Sequence, residues 1–354
     1  MTPMTATRPT DDVDAVVDVR AEPAALLSFT TVLSELGFVS AGETWIGHQH
    51  RWTTGRCSGG LPRACVGRHP TTEERPVTPT SYTSTGIAFD RAGPRGELPV
   101  VLIHAGVADR RMWDPVWPAL TAERDAIKLD LRGFGESATR PDGALSPVAD
   151  VLNTVTEIGV GRCHLVGASF GAGVAVEVAL TRPELVASML LSAPGGSLIG
   201  EVTPDLRAFI EAERTALAAG DLEAAVEANL TWWVDGPRRD AGDVDRVVRD
   251  LVRQMQLRAF QVTADWDDVQ ERELDPPALD QLADLRVPTL VLVGALDLDA
   301  IAVAARRVAD GISGARLVDW PDTAHLPSSE RPTDFLALLR DWLTPSERND
   351  VRGR

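Results

Sequence analysis

The sequence predicts an α/β protein built on a mostly parallel, doubly wound sheet, with a helical cap insertion and a small N-terminal appendage. Three observations carry this. Pro99-Val100-Val101-Leu102-Ile103, Val186-Ala187-Ser188-Met189-Leu190-Leu191 and Val287-Pro288-Thr289-Leu290-Val291-Leu292-Val293-Gly294 are short apolar runs bounded by turn signals. Strands covered on both faces of a parallel sheet have that pattern. Stretches with apolar residues three and four apart separate them, as helices crossing between parallel strands do. The third observation is Leu165 to Gly173, LVGASFGAG. It joins a short strand, Cys163-His164-Leu165-Val166, directly to an apolar helix through Gly167-Ala168-Ser169-Phe170-Gly171. A serine on so sharp a turn needs a strained backbone. Glycines two residues to either side let strand and helix approach closely enough to allow it.

The 354 residues suffice for one large domain and an appendage, and the 44% hydrophobic and 25% charged content is that of a globular chain. No apolar run approaches the roughly 20 residues of a membrane span. The N-terminal MTPMTATRPTDDVD lacks a basic segment followed by an apolar one, so no secretory signal is expected. The net charge of −17 argues against nucleic acid and anionic membranes as partners. Cys57, Cys65 and Cys163 form neither a disulfide framework nor a zinc pattern, and a reducing cytoplasm is the expected location.

Residues 1–55 hold a strand pattern at Asp12 to Val19 and a helical pattern at Pro23 to Gly37. The Asp12-x-Asp14 pair followed by that helix resembles part of a nucleotidyltransferase-like domain, where a D-x-D pair on one strand holds Mg²⁺. The family's upstream Gly-Ser turn is missing, so the segment is expected to be a small α/β appendage or a truncated remnant. Residues 56–80, rich in Gly, Pro, Thr and Arg, are expected to be a linker. His48-x-His50 lacks a third ligand at a plausible spacing, and no metal site is assigned.

The domain proper is expected over residues 81–345, followed by a polar tail at 346–354. Tyr82 to Phe89 alternates like a strand, Arg111 to Arg124 has the spacing of a helix, and Ala126 to Leu129 that of the next strand. Leu145 to Ile158 is expected to be a helix. The chain from about 195 to 285 is mostly helical, with runs at Asp205 to Ala219, Asp221 to Val234 and Asp243 to Val262; Asp221 and Asp243 stand where N-caps would. An insertion of this size between two core strands would cover the C-terminal edge of the sheet, where open α/β sheets bind ligands. Trp232, Trp233 and Trp266 lie in it, either lining a pocket or packing between helices. Helices at Ile301 to Gly311 and Thr333 to Leu343 flank a last strand at Ala315 to Asp319.

From Ser81 to Leu343 the chain resembles the α/β-hydrolase superfamily. The elbow around Ser169 is the strongest part of the likeness; the turn Asp130-Leu131-Arg132-Gly133-Phe134-Gly135-Glu136-Ser137 is the second. That turn reads as structural, with Asp130 and Arg132 bonding each other and the loops nearby. In this family an acid sits three residues after the strand-ending glycine, which Asp297 does after Gly294; Asp299 is the alternative if the loop is offset. A histidine followed by x-P-x-x-E-x-P comes later, and His325 fits it throughout. The resemblance therefore implies a triad of Ser169, His325 and Asp297 in chain order, and an oxyanion hole from the backbone N–H groups of Phe170 and Gly106, with Val107 as the alternative. His104 reads as structural. The implied chemistry is hydrolysis of a carboxylic ester, lactone or thioester of a small molecule, with no cofactor. Serine rather than aspartate at position 169 excludes dehalogenase and epoxide-hydrolase chemistry of this fold. Related serine enzymes transfer acyl groups, cleave C–C bonds, make peracids or eliminate carboxylates, and some relatives are small-molecule receptors.

Overall fold

The computed structural model describes residues 80–344. The expected strand at 12–19 and helix at 23–37, the Asp12-x-Asp14 and His48-x-His50 pairs, Cys57 and Cys65, the linker as far as Pro79 and the tail at 346–354 lie outside the described residues.

Strands β1 (Ser81–Tyr82), β2 (Ala88–Ala92), β3 (Val100–Ile103), β4 (Ala126–Leu129), β5 (Cys163–Ala168), β6 (Val186–Ser192), β7 (Thr289–Gly294) and β8 (Arg316–Trp320) form one sheet in the order β1-β2-β4-β3-β5-β6-β7-β8. Strand β2 runs antiparallel to β1 and β4, and every pairing from β4 to β8 is parallel. The apolar runs that define β3, β5, β6 and β7 are buried on both faces, as their composition requires. After β4 the chain crosses back over β3 to place β5 on its other side. That reversal opens a crevice beyond the carboxyl ends of β3 and β5. The register there pairs Ile103 with Gly167, so the loops leaving the two strands start at nearly the same level.

Helix α1 is Trp117–Thr121, α2 is Pro147–Glu157, α3 is Phe170–Thr181. Between β6 and β7 lie α4 (Pro204–Ala218), α5 (Leu222–Asn229) with a π-helical continuation over Leu230–Asp235, and α6 (Arg246–Val262). Helix α7 (Asp299–Gly311) precedes β8, and α8 (Pro327–Glu330) and α9 (Pro332–Leu343) end the fold.

Four local expectations are corrected. Tyr82 to Phe89 is not one strand: Gly86 at φ +83° turns the chain, Thr83 Oγ1 takes the N–H of Ile87, and Ser81 pairs back with Phe89. Arg111 to Arg124 is not one helix. A 3₁₀ turn at Arg110–Trp113 is followed by α1, because Pro115 has no N–H to give and Pro118 fits only in a first turn. Helix α6 is capped by Asp245, which accepts the N–H of Val247 at 2.8 Å, and Asp243 lies in the short turn before it. Asp221 does cap α5, accepting from Ala224 at 3.0 Å. Finally, Asp130 and Arg132 do not bond each other. Asp130 takes the N–H of Arg110 and of Glu136, each at 2.8 Å, and the Arg110 guanidinium; Arg132 pairs bidentately with Asp150 at 2.6 and 2.9 Å. Both glycines of that turn have positive φ, and a Cβ on Gly135 would sit 2.3 Å from an Asp130 oxygen, so the bare backbone there lets the turn close around the Asp130 carboxylate.

Candidate active site

Ser169 stands between the last residue of β5 and the first of α3, with φ 51° and ψ −116°. Such a backbone costs about 1–3 kcal/mol and persists only where its surroundings over-determine it. Here they do. The Ser169 carbonyl accepts from Ala172, Gly173 and Gly195, and its N–H donates to Ser192 O at 2.8 Å. Alanine at 167 would put its Cβ 2.3 Å from the Gly171 carbonyl, and at 171 its Cβ would sit 2.5 Å from the carbonyls of Ile103 and His104. The two glycines of the pentapeptide are therefore demanded by close backbone approach. Gly195, from the loop after β6, is a third that sequence reading missed: a Cβ there would lie 2.8 Å from the Ser169 hydroxyl.

His325 reaches the hydroxyl from the loop after β8. Its Nε2 is 2.7 Å from Ser169 Oγ, and its Nδ1 is 2.8 Å from Asp297 Oδ2. Asp297 and His325 are each 1% exposed and Ser169 is 9% exposed, so the line is shielded but open at the serine end. The second carboxylate oxygen of Asp297 accepts the N–H of Leu298 at 2.7 Å, which aims the first at the imidazole. Gly294 ends β7 because a Cβ there would meet the Thr323 carbonyl at 2.3 Å; its bareness lets the histidine loop rest on the strand end. Asp299 takes a different place. It opens α7 and pairs with Arg238, while the imidazole bonds to Asp297.

The acid of the x-P-x-x-E pattern has a role that the sequence alone did not disclose. Glu330 accepts the N–H of Ala324 at 2.9 Å and ion-pairs with Arg239 at 2.6 Å. It thereby ties the histidine loop to the helical insertion. The insertion meets the histidine directly as well: the Trp233 ring lies 4.5 Å from the His325 ring, and Phe209 packs edge-on against Trp233 at 5.0 Å. Trp233 sits on the π-helical turn, an irregularity common at functional sites. Trp232 points elsewhere, half-buried against the hydrophobic core, and Trp266 lies beside Gly133.

Phe170 is the first residue of α3, so its N–H has no intrahelical acceptor and stands at the positive end of the helix. Across the crevice, Ala108 donates to Ala105 and closes a turn whose two inner residues are Gly106 and Val107. The inner N–H groups of such a turn find no acceptor within it.

His104 is engaged on both nitrogens. Leu131 N–H donates to Nε2 at 2.9 Å, so Nδ1 carries the proton and donates to Ala105 O at 2.8 Å. Complete burial pushes its pKa down to about 4, against an ordinary 6.5. The neutral ring is thus favoured by the fold, and between those values the unfolded chain binds more protons than the native one. Stability from this residue is full above about pH 6.5 and is lost as pH falls toward 4, to a total of about 3 kcal/mol. Between pH 7 and 5 wild type should lose about 2 kcal/mol more than a His104→Gln variant. Urea unfolding at the two pH values measures this; equal losses would show that His104 is not held neutral.

Among the described residues no group of three or more His, Cys, Asp or Glu is placed to hold a metal ion, and no helix is long and apolar enough to cross a membrane.

With sheet order, elbow and hydrogen-bonded line in view, comparison with known proteins identifies the class. Residues 100–338 match the model of the Alpha/beta hydrolase family, and the chain belongs to that family. It is a hydrolase by that membership and by its esterase relatives. A pimeloyl-(acyl-carrier protein) methyl ester esterase of Edwardsiella ictaluri is 28% identical over 255 residues, covering 70% of this chain and 93% of the esterase. A shorter match, 40% identical over 106 residues, is to the dihydrolipoyllysine-residue acetyltransferase component of the acetoin cleaving system of Pseudomonas putida; it spans 29% of each chain. Among solved structures, a thermophilic esterase from Thermogutta terrifontis is 29% identical, with a TM-score of 0.58 over 73% of this chain and 92% of that one.

Proposed function

We propose that this chain is a serine hydrolase of small-molecule carboxylic esters, lactones or thioesters, acting through an acyl-enzyme on Ser169. The observation that carries the reading is the unbroken hydrogen-bond line from Asp297 through His325 to Ser169 Oγ. A neutral serine hydroxyl is a poor nucleophile, and His325 Nε2 is within reach to take its proton as Oγ attacks the substrate carbonyl. Asp297, bonded to Nδ1–H, keeps the imidazole in the tautomer whose Nε2 is free to accept, and stabilises the cation that forms. The carbonyl oxygen gains negative charge and takes hydrogen bonds from the N–H groups of Phe170 and of Gly106, or of Val107 in the same turn. Losing one such donor typically costs about 10²–10³-fold in turnover. His325 then gives its proton to the leaving alcohol or thiol. A water molecule, deprotonated by the same nitrogen, attacks the acyl-serine and returns the free acid. The chemistry asks for no metal or organic cofactor.

The helical insertion acts as the cap in this reading. Trp233 packed on the His325 ring shields that part of the base from water, while Arg239 and Glu330 hold cap and histidine loop together. A second reading, transfer of the acyl group to an acceptor other than water, draws support from the acetyltransferase match and would use the same acyl-serine. The test is a screen of p-nitrophenyl esters, lactones and acyl thioesters, with and without added thiol or alcohol. Turnover of at least one class by wild type and by no Ser169→Ala sample is expected. Equal rates in both proteins would overturn the reading, and product appearing on the added acceptor would favour acyl transfer.

A further inference from the structure

The turn that leaves the π-helical segment, Asp235-Gly236-Pro237-Arg238-Arg239, meets both loops of the Asp297–His325 pair. Gly236 is buried at φ +80°, and a Cβ on it would lie 2.4 Å from the Leu296 carbonyl and 3.1 Å from the Ala324 Cβ. The turn is therefore wedged between the residue before Asp297 and the residue before His325. Its two arginines diverge from there. Arg239 takes the histidine side through Glu330. Arg238 takes the acid side: its Nη1 donates to the main-chain carbonyl of Asp297 and its Nη2 to the Asp299 carboxylate. The turn is also braced from behind. Asp235 is buried and pairs with Arg249 of α6 at 3.0 Å, and Arg239 donates to the carbonyls of Asp235 and Val234 at 2.8 and 2.9 Å.

The bonds along the acid loop show what Arg238 adds. Before Asp297, Ala295 N–H donates to Trp320 O at 2.8 Å and Leu296 N–H to Thr323 O at 3.0 Å. After it, Asp299 N–H donates to Asp205 of α4 at 2.6 Å. The N–H of Asp297 itself makes a long bond, 3.3 Å, to Gly294 O. An aspartate carboxylate stands on a single methylene, so it moves with its main chain. Its aim at His325 Nδ1 depends on the two peptide units beside it. The Asp297 carbonyl belongs to the second of these, and its donor is Arg238.

We propose that Arg238 is a positioning residue for the triad, fixing the Asp297 main chain so that its carboxylate stays on His325 Nδ1. The helical insertion then has a part in setting the acid as well as in covering the site. A guanidinium suits the task because its planar fork addresses two oxygens at once, which an ammonium does less well. The role in catalysis rests on the hydrolase reading above; the hold on Asp297 does not.

The experiment compares Arg238→Met, Arg238→Lys and Asp299→Asn with wild type. One readout is the tautomer of His325, from ¹⁵N NMR of histidine-labelled protein, with the signals assigned by difference against His325→Gln. The other is kcat and KM on the ester, lactone or thioester turned over best. Wild type should hold the neutral-ring proton on Nδ1. Arg238→Met should show both tautomers, with kcat lowered about tenfold and KM within about twofold, since the acid is displaced and the pocket is not. Arg238→Lys, still able to donate to the Asp297 carbonyl, should recover to within about threefold of wild type. Asp299→Asn should lose less than Arg238→Met, because the carbonyl bond remains. The Arg238–Asp299 pair is half-exposed, so thermal midpoints should fall by no more than a few degrees. A single Nδ1–H tautomer with wild-type kcat in Arg238→Met, a loss confined to KM, or an equal loss in Asp299→Asn would each overturn the proposal. A midpoint lowered far more in both Arg238 variants, with no recovery of kcat by lysine, would overturn it too, and assign the arginine to cap stability. Mixed tautomers in Arg238→Met with no turnover by wild type would overturn the hydrolase reading and leave the hold on Asp297 standing.

Discussion

Ser169→Ala is expected to lower turnover by about 10⁵-fold or more, leaving only what binding and the oxyanion donors contribute. The protein should remain folded. Alanine at 169 keeps the same backbone strain, since both residues carry a Cβ at φ 51°, and the carbonyl and N–H contacts that hold the elbow are main-chain bonds. The loss on the stability side is the single bond from Oγ to His325 Nε2, roughly 1 kcal/mol, or a few degrees in Tm for a domain of this size. A fluorophosphonate probe should label wild type at Ser169 and leave the variant unmarked. Retained turnover in Ser169→Ala, or labelling at another serine, would sink the assignment. Ser192, the last residue of β6, and Ser328, in α8 just after His325, are buried serines, so peptide mapping of the label is the decisive measurement.

The second large effect separates two aspartates that stand two residues apart. Asp297→Asn is expected to lower kcat by about 10⁴-fold, because an amide can donate to Nδ1 and so favour the tautomer whose Nε2 already carries a proton. Such an imidazole cannot accept from Ser169. Asp299→Asn should stay within a few-fold of wild type. Its carboxylate belongs to the Arg238 pair at the start of α7, a half-exposed contact with no bond to the imidazole. Comparable losses in both variants would mean that the loop after β7 is set by the two acids together. The reverse ranking would assign Asp299 to the histidine.

Much of this site was legible in one dimension because its parts are local. The elbow needs only a strand, a five-residue turn and a helix in succession; the reason for Gly167 is a close approach to Gly171 four residues on, whereas Gly171 answers to the end of β3, far along the chain. The spacing from Gly294 to Asp297 and the run from His325 to Pro332 are likewise short. Proline and glycine account for two of the four corrected expectations: Pro115 divides what periodicity joins into one helix, and Gly86 folds one alternating segment into a two-strand turn.

What the sequence by itself determined, then, is the succession of buried strands and the elbow at Ser169; the resemblance added His325 and a choice between Asp297 and Asp299. The strands and the elbow are written in the spacing of apolar residues and glycines along a few consecutive positions, whereas the acid and the histidine are what the family resemblance implies. Only the tertiary structure decided which aspartate faces His325, that Trp233 rather than Trp232 packs on its ring, that Glu330 ties the histidine loop to Arg239, and that Arg238 bonds the Asp297 carbonyl. These depend on how the insertion between β6 and β7 docks over strand ends brought together from far along the chain. A distance of 2.8 Å between residues 28 apart, or 4.5 Å between residues 92 positions apart, is set by sheet order and helix packing, and no local periodicity encodes it.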